Sequence, residues 1–318
     1  MAIHAAELAR RGHRVVVFAA SGSAQPGVRT VPFGPVGIWP GRRQLMRLAL
    51  ARLRAGRFQI VHSFARSSTL LPWLPFSRAR LVQTYACPLS ATTIRSLDRL
   101  LPGRISYTVP SQWMLKAFPA TRSPLAMVPN SLPADLYKPS FSVSADAPLA
   151  FLGRFDPSKG LHEAIAVAVA AGRSIEIGGG AFDATSHAYA AELQQRWKGH
   201  PLVRFLGPLD DLGKQELLAR SAALLFPIGW EEPFGLVMIE AMACGTPVIA
   251  YARGAVPEIV QPGLNGFVVP DRATMTAAVA ELPLLERRTV WQSFQTRFAA
   301  PAVTNAYLSH YREVLGML

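Results

Sequence analysis

Apolar runs of strand length alternate with longer segments of helical period along most of the chain. Arg14–Ala20, Phe58–Ser63, Arg80–Tyr85 and Arg104–Val109 read as buried strands in the first half. Pro148–Leu152, Ser174–Ile177, Leu202–Leu206, Ala222–Phe226 and Pro247–Ala250 read the same way in the second. Continuous rather than alternating apolar character, as in Ala222–Phe226, is what parallel strands covered by helices on both faces produce. Between them, Gly160–Ala171, Ala184–Lys198 and Leu236–Ala243 carry helical periodicity. This alternation predicts an α/β chain of the doubly wound class. Periodicity stops in Pro133–Ala147, where Pro, Ser and Asp accumulate, so a linker is placed there. The expected division is 1–140, 141–300 and a C-terminal segment, 301–318, whose helix can cross back onto the first domain. Met1–Arg11 already reads as a helix, ahead of any strand. A Rossmann-like half begins with a strand and a Gly-rich turn, so either the frame starts late or this domain is trimmed.

Composition narrows the class. The chain has 318 residues, which suits two domains. Half of them are hydrophobic and 17% are charged, enough apolar surface to exclude a mainly disordered chain. No apolar run approaches the ~18 residues of a membrane span. None precedes a small-residue cleavage site at the N-terminus, so no signal peptide is expected. The two cysteines, Cys87 and Cys244, form neither a disulfide framework nor a metal-ligand spacing. A reduced, cytoplasmic protein is the expectation.

Charge is divided unevenly. Residues 1–140 hold 19 Lys and Arg against three acids (Glu7, Asp98, Asp135), a net of +16. The remainder holds 14 of the 33 basic and 17 of the 20 acidic residues, a net of −3. The first domain is expected to face something anionic. Arg42–Arg57 concentrates six Arg and no acid beside leucines. As a helix it could lie on an anionic membrane surface, with Arg43, Arg47 and Arg54 together, or it could simply pack on the sheet. No aromatic stacking platform accompanies the charge, so nucleic acid is not an expected partner.

Three segments carry candidate chemistry, all at carboxyl ends of expected strands, where open α/β sheets bind ligands. In Glu231–Ala250 an irregular stretch leads into a helix starting near Phe234-Gly235. The free N–H groups of Gly235, Leu236 and Val237 would face an anion such as diphosphate. Glu232 precedes that start and Glu240 lies within the helix; both could bind hydroxyls, or serve as a dipole acid and a surface acid. In Phe151–Gly160, Arg154 and Lys159 flank a strand-to-helix turn and can converge on phosphate. Gly178–Gly180 reads as a close-packed turn after its strand.

Together these segments resemble the retaining glycosyltransferases of family 4, which have the GT-B fold. Glu232–Glu240 matches the family's E-x7-E motif, and Arg154 with Lys159 its phosphate-binding pair. Val128–Leu132 and Gly254–Val260 resemble two further segments, with Ala255 in place of a second Gly. The resemblance covers nearly all of the second half and is topological in the first. It implies two Rossmann-like domains facing a cleft, the N-terminal one on the acceptor side and lacking its first strand. It also implies a nucleotide-sugar donor held by the second domain and a glycan, lipid-linked or small-molecule acceptor. Arg154, Lys159 and Glu232 take catalytic roles by carry-over. Gly207, Leu209, Phe234, Gly235, Leu236, Val237 and Glu240 bind the donor, Glu240 at the ribose and Gly207–Leu209 at the base. No cofactor or metal is called for, because two cations and a helix start supply the positive potential. Asp210 and Asp211 then read as a helix-start pair.

Two departures stand out. The Gly-rich loop after the first strand is missing, and no His follows Arg80–Tyr85, where Ala86, Cys87 and Pro88 stand instead. His62 is the acceptor-side candidate, against a plain strand-end histidine. The rival functions are a GT-B epimerase or phosphorylase, for which no pattern is present, and a non-catalytic nucleotide-sugar-binding or assembly protein. An enzyme bound peripherally at the inner face of a membrane would use the Arg42–Arg57 segment.

Overall fold

The computed structural model describes residues 1–19, 27–32, 58–67, 79–87 and 90–317. Arg42–Arg57 and Pro88 lie outside the described residues. The chain divides into two compact units, Met1–Ser131 with Ala300–Leu318, and Leu132–Ala299. The stretch Pro133–Ala147 falls within the second unit, where Tyr137 is buried in the core.

In the first unit, β1 (Val16–Ala19) and β2 (Arg29–Pro32) pair in parallel. A second parallel sheet runs in chain order through β3 (Ile60–Ser63), β4 (Arg80–Thr84), β5 (Ile105–Val109) and β6 (Leu125–Met127). β5 is buried throughout, its polar Ser106 and Thr108 included. The C-terminal helix, Ala300–Leu315, packs in this unit against the first helix, Ala2–Arg10. Polar side chains join the two. His4 Nδ1 lies 3.2 Å from Thr304 Oγ1, and His4 Nε2 lies 2.9 Å from Tyr311 Oη.

This junction makes the unit acid-sensitive. Burial lowers His4 to about 3 and depresses His62 and His310 as well. Unfolded, each titrates near 6.5, so the unfolded chain takes up protons first as the pH falls. The stability these neutral rings contribute is full above about pH 6.5 and is lost as the pH falls from there toward 3. His4 alone accounts for roughly 3 kcal/mol between pH 7 and pH 4. Circular dichroism melts at the two pH values should show the first transition several degrees lower at pH 4. An unchanged midpoint would contradict the burial of these rings.

The second unit holds one parallel six-stranded sheet. Its strands are β7 (Leu149–Arg154), β8 (Ile175–Gly180), β9 (Val203–Gly207), β10 (Ala223–Phe226), β11 (Val248–Tyr251) and β12 (Gly266–Val269). Their spatial order is β12-β11-β10-β7-β8-β9. Counted from β7 this is the Rossmann order, with its switch point between β7 and β10. Alternate residues serve opposite faces: Leu149, Phe151, Ala223 and Leu225 enter one core cluster, and Ala150, Leu152, Leu224 and Phe226 the other. Two buried faces therefore explain why these runs are apolar at every position.

The structure corrects one sequence-based placement. Gly178–Gly180 is no turn; it is the carboxyl end of β8, paired with Leu152–Arg154 of β7. A Cβ on Gly179 would meet the Gly153 carbonyl oxygen at 1.8 Å, so the triplet lets two strands approach closely. Strands β2, β6 and β12 were not expected, each being short and set among turn-forming residues.

Candidate functional site

The switch point directs two loops away from the sheet, one leaving β7 and one leaving β10. After β7, Asp156 caps a single 3-10 turn, Pro157–Lys159, by accepting from the Ser158 amide at 2.9 Å. Gly160 then leads into the helix Leu161–Ala170. The turn holds Lys159 with its ammonium 2.8 Å from Glu232 Oε2, which comes from the loop after β10. The Gly229 amide donates to the Ser158 carbonyl at 2.7 Å, tying the two loops through their backbones.

Glu232 is fixed from behind as well. Its carbonyl accepts from the Ala255 amide at 2.8 Å, and a Cβ at Gly254 would come within 2.3 Å of that same oxygen. The Gly254–Val260 segment thus acts as a buttress, and Gly254 is required by the closeness of the two backbones. Glu232 itself is buried, 8% exposed, and a carboxylate so placed needs donors. Lys159 supplies one, and the Trp230 indole N–H donates to the same Oε2 at 3.1 Å.

Gly235, at φ +82°, caps the helix Leu236–Ala243 without a side-chain hydrogen bond. Among the described residues no acceptor takes the amides of Gly235, Leu236 or Val237. They form a site for negative charge beside the Lys159–Glu232 pair. Phe234 points the other way: its ring is in the core, 5.9 Å from Phe298. Only its backbone remains at the site.

One and a half turns into the helix, Glu240 Oε1 accepts from Tyr137 Oη at 2.9 Å, with Lys214 Nζ at 4.0 Å. Burial raises the Glu240 pKa above the ordinary carboxyl value, and the Tyr137 hydrogen bond and Lys214 oppose that rise. Arg154 ends β7, exposed, and makes no hydrogen bond or ion pair among the described residues. Gly207 ends β9, and Leu209 is half-buried against the core. Asp210 caps the helix Asp211–Arg220 by accepting from the Gly213 amide at 2.8 Å, while Asp211 pairs with Lys214.

The structure thus brings Lys159 and Glu232 into contact beside the start of Leu236–Ala243. Trp230, Tyr137 and Lys214 were not picked out from the sequence. Trp230 had a visible signal, two positions before Glu232, but Tyr137 sits 103 residues from Glu240 and had none. His62 belongs to the first unit, where both of its nitrogens are taken: Nδ1 by Tyr311 Oη at 2.6 Å and Nε2 by Thr84 Oγ1 at 2.6 Å. Both ring nitrogens thus have partners within the fold, as the strand-end alternative expects.

Residues 147–283 match the family model described as glycosyl transferases group 1. A D-inositol 3-phosphate glycosyltransferase of Kribbella flavida is 34% identical over 154 residues, which is 42% of this chain and 35% of that relative. The chain thus spans about a third of that relative's length. The sucrose-phosphate synthase of Thermosynechococcus elongatus superposes at a TM-score of 0.76 with 22% identity, covering 99% of this chain and 92% of that one. The Anabaena protein HepE, solved with UDP and glucose, superposes at 0.73 with 19% identity, covering 97% and 95%. At these identities the likeness concerns the fold. The second unit carries the sequence pattern of the glycosyl transferases group 1 family, and the chain as a whole has the GT-B fold of two Rossmann-like domains.

Proposed function

We propose that this chain is a retaining, hexosyltransferase-like glycosyltransferase that uses a nucleoside-diphosphate sugar as donor. The observation that carries the reading is the Lys159–Glu232 pair beside the uncapped helix start at the switch point. A diphosphate placed there meets the amides of Gly235–Val237, the Lys159 ammonium and, from the end of β7, the Arg154 guanidinium. Glu232 then faces the sugar hydroxyls and Glu240 the ribose. In the reaction the bond from the anomeric carbon to the diphosphate breaks, and its electron pair stays on the leaving phosphate oxygen. The acceptor hydroxyl oxygen bonds to the anomeric carbon on the same face, and its proton leaves with the diphosphate. Charge growing on the leaving group is what two cations and a helix start stabilise, so the reading calls on no metal.

The family match over 147–283 supports this activity, and UDP in HepE makes uridine donors the first to try. The net charge of +16 over residues 1–140 supports an anionic acceptor or an anionic membrane surface. A phosphorylated polyol, as in the name of the Kribbella relative, is a small-molecule acceptor of that kind.

The ribose contact is open to a direct test. Replacing Glu240 with alanine should weaken nucleoside-diphosphate binding by roughly 1–3 kcal/mol, the cost of losing a hydrogen bond to a charged group. Calorimetric titration of the folded variant with UDP reads this. Affinity equal to that of the wild type would remove Glu240 from the site.

A further inference from the structure

Trp230 lies beside both residues on which the proposed chemistry turns. Its indole N–H donates to Glu232 Oε2 at 3.1 Å, and its ring lies 4.9 Å from Lys159 Nζ. Trp230 is 40% exposed, although Ile228, two positions before it, is fully buried and Gly229 is tied to Ser158. One carboxylate oxygen, Oε2, therefore receives both the ammonium and the indole, while Oε1 carries no donor among the described residues.

This sharing has a consequence once a diphosphate arrives. Lys159 is bound to Glu232, yet the reading above needs its charge on phosphate. If the ammonium turns to the diphosphate, a carboxylate 8% exposed is left without its cation. The indole N–H is then the donor that remains on Oε2, holding Oε1 toward the sugar. We infer that Trp230 is a positioning residue that keeps Glu232 aimed at the donor sugar after Lys159 exchanges the carboxylate for the diphosphate. The inference rests on the glycosyltransferase reading, but it makes a separate demand: Trp230 matters for the sugar and not for the nucleotide.

Trp230→Phe tests the effect, because it keeps an aromatic side chain near Lys159 while removing the N–H together with the rest of the five-membered ring. Titrations use UDP and UDP-glucose, with GDP and GDP-mannose, and ADP and ADP-glucose, run as parallel pairs. For the pair that the wild-type protein binds, Trp230→Phe should weaken the nucleotide sugar about tenfold and leave the nucleoside diphosphate within twofold. In a Glu232→Gln background the same substitution should add less than twofold, since two residues acting through one contact are not additive. Equal weakening of nucleotide and nucleotide sugar, no change in either, or a full tenfold loss in the Glu232→Gln background would each overturn the role of Trp230 and leave the glycosyltransferase reading intact. A wild-type protein that binds none of the pairs would overturn that reading, and this inference with it.

Discussion

Turnover of a nucleotide-sugar donor by the Lys159→Ala variant should fall by about 10²–10³-fold, with a much smaller loss in donor binding. The asymmetry follows from where the charge moves. On the proposed reading, a bound diphosphate in the ground state would be shared among the Lys159 ammonium, Arg154 and the amides at Gly235–Val237. As the anomeric bond breaks, another increment of negative charge settles on the leaving oxygen, and a cation there acts mostly on the transition state. Lys159 is held for this by the turn Pro157–Lys159 and by Glu232 at 2.8 Å. Arg154→Ala should likewise lower turnover more than donor binding, if the guanidinium at the end of β7 turns to the same diphosphate. Steady-state kinetics compared with calorimetric Kd values separate the two effects. Equal losses in rate and affinity would give Lys159 a binding role alone.

The largest effect on stability is expected at Arg287, which has no role in the candidate chemistry. Its side chain is buried, 8% exposed, and no carboxylate pairs with it among the described residues. Its guanidinium donates to four oxygens instead: the carbonyls of Ser140, Ser221 and Ala219, and Thr246 Oγ1, at 2.7–3.0 Å. Burial lowers its pKa to about 10, which still leaves it charged at neutral pH. These bonds join the start of the helix Arg287–Arg297 to the segment around Ser140 and to the chain on both sides of β10. Arg287→Met keeps much of the volume and strands three buried carbonyls. The loss should be about 3–5 kcal/mol, or roughly 6–20 °C in the melting temperature of a unit this size. A melt within two or three degrees of the wild type would mean that water replaces the guanidinium.

The sheet of the second unit was legible in the sequence because its order buries both faces of the central strands. Leu149, Ala150, Phe151 and Leu152 are all apolar since alternate members serve different core clusters. The Lys159–Glu232 site was legible because its members lie in short motifs at strand ends, where spacing constrains geometry. What escaped is what long-range folding creates. The Tyr311 hydroxyl meets His4 and His62 from 307 and 249 residues away. Tyr137 reaches Glu240 from a stretch whose Pro and Ser content reads as linker. Arg287 looks like any helix-start arginine until its four acceptors are in place. Gly178–Gly180 misled because glycine punctuates turns and close strand pairs alike.

On the proposed function, the Lys159–Glu232 site breaks the sugar–diphosphate bond of a nucleotide donor. Phosphorus NMR tests it most directly. The protein is incubated with UDP-glucose, GDP-mannose and ADP-glucose in turn, with and without a phosphorylated polyol as acceptor. The account predicts that free nucleoside diphosphate accumulates from one of these donors with the wild-type chain, and that Lys159→Ala all but abolishes its release. Release from none of the donors, or release at the same rate from wild type and variant, would contradict it.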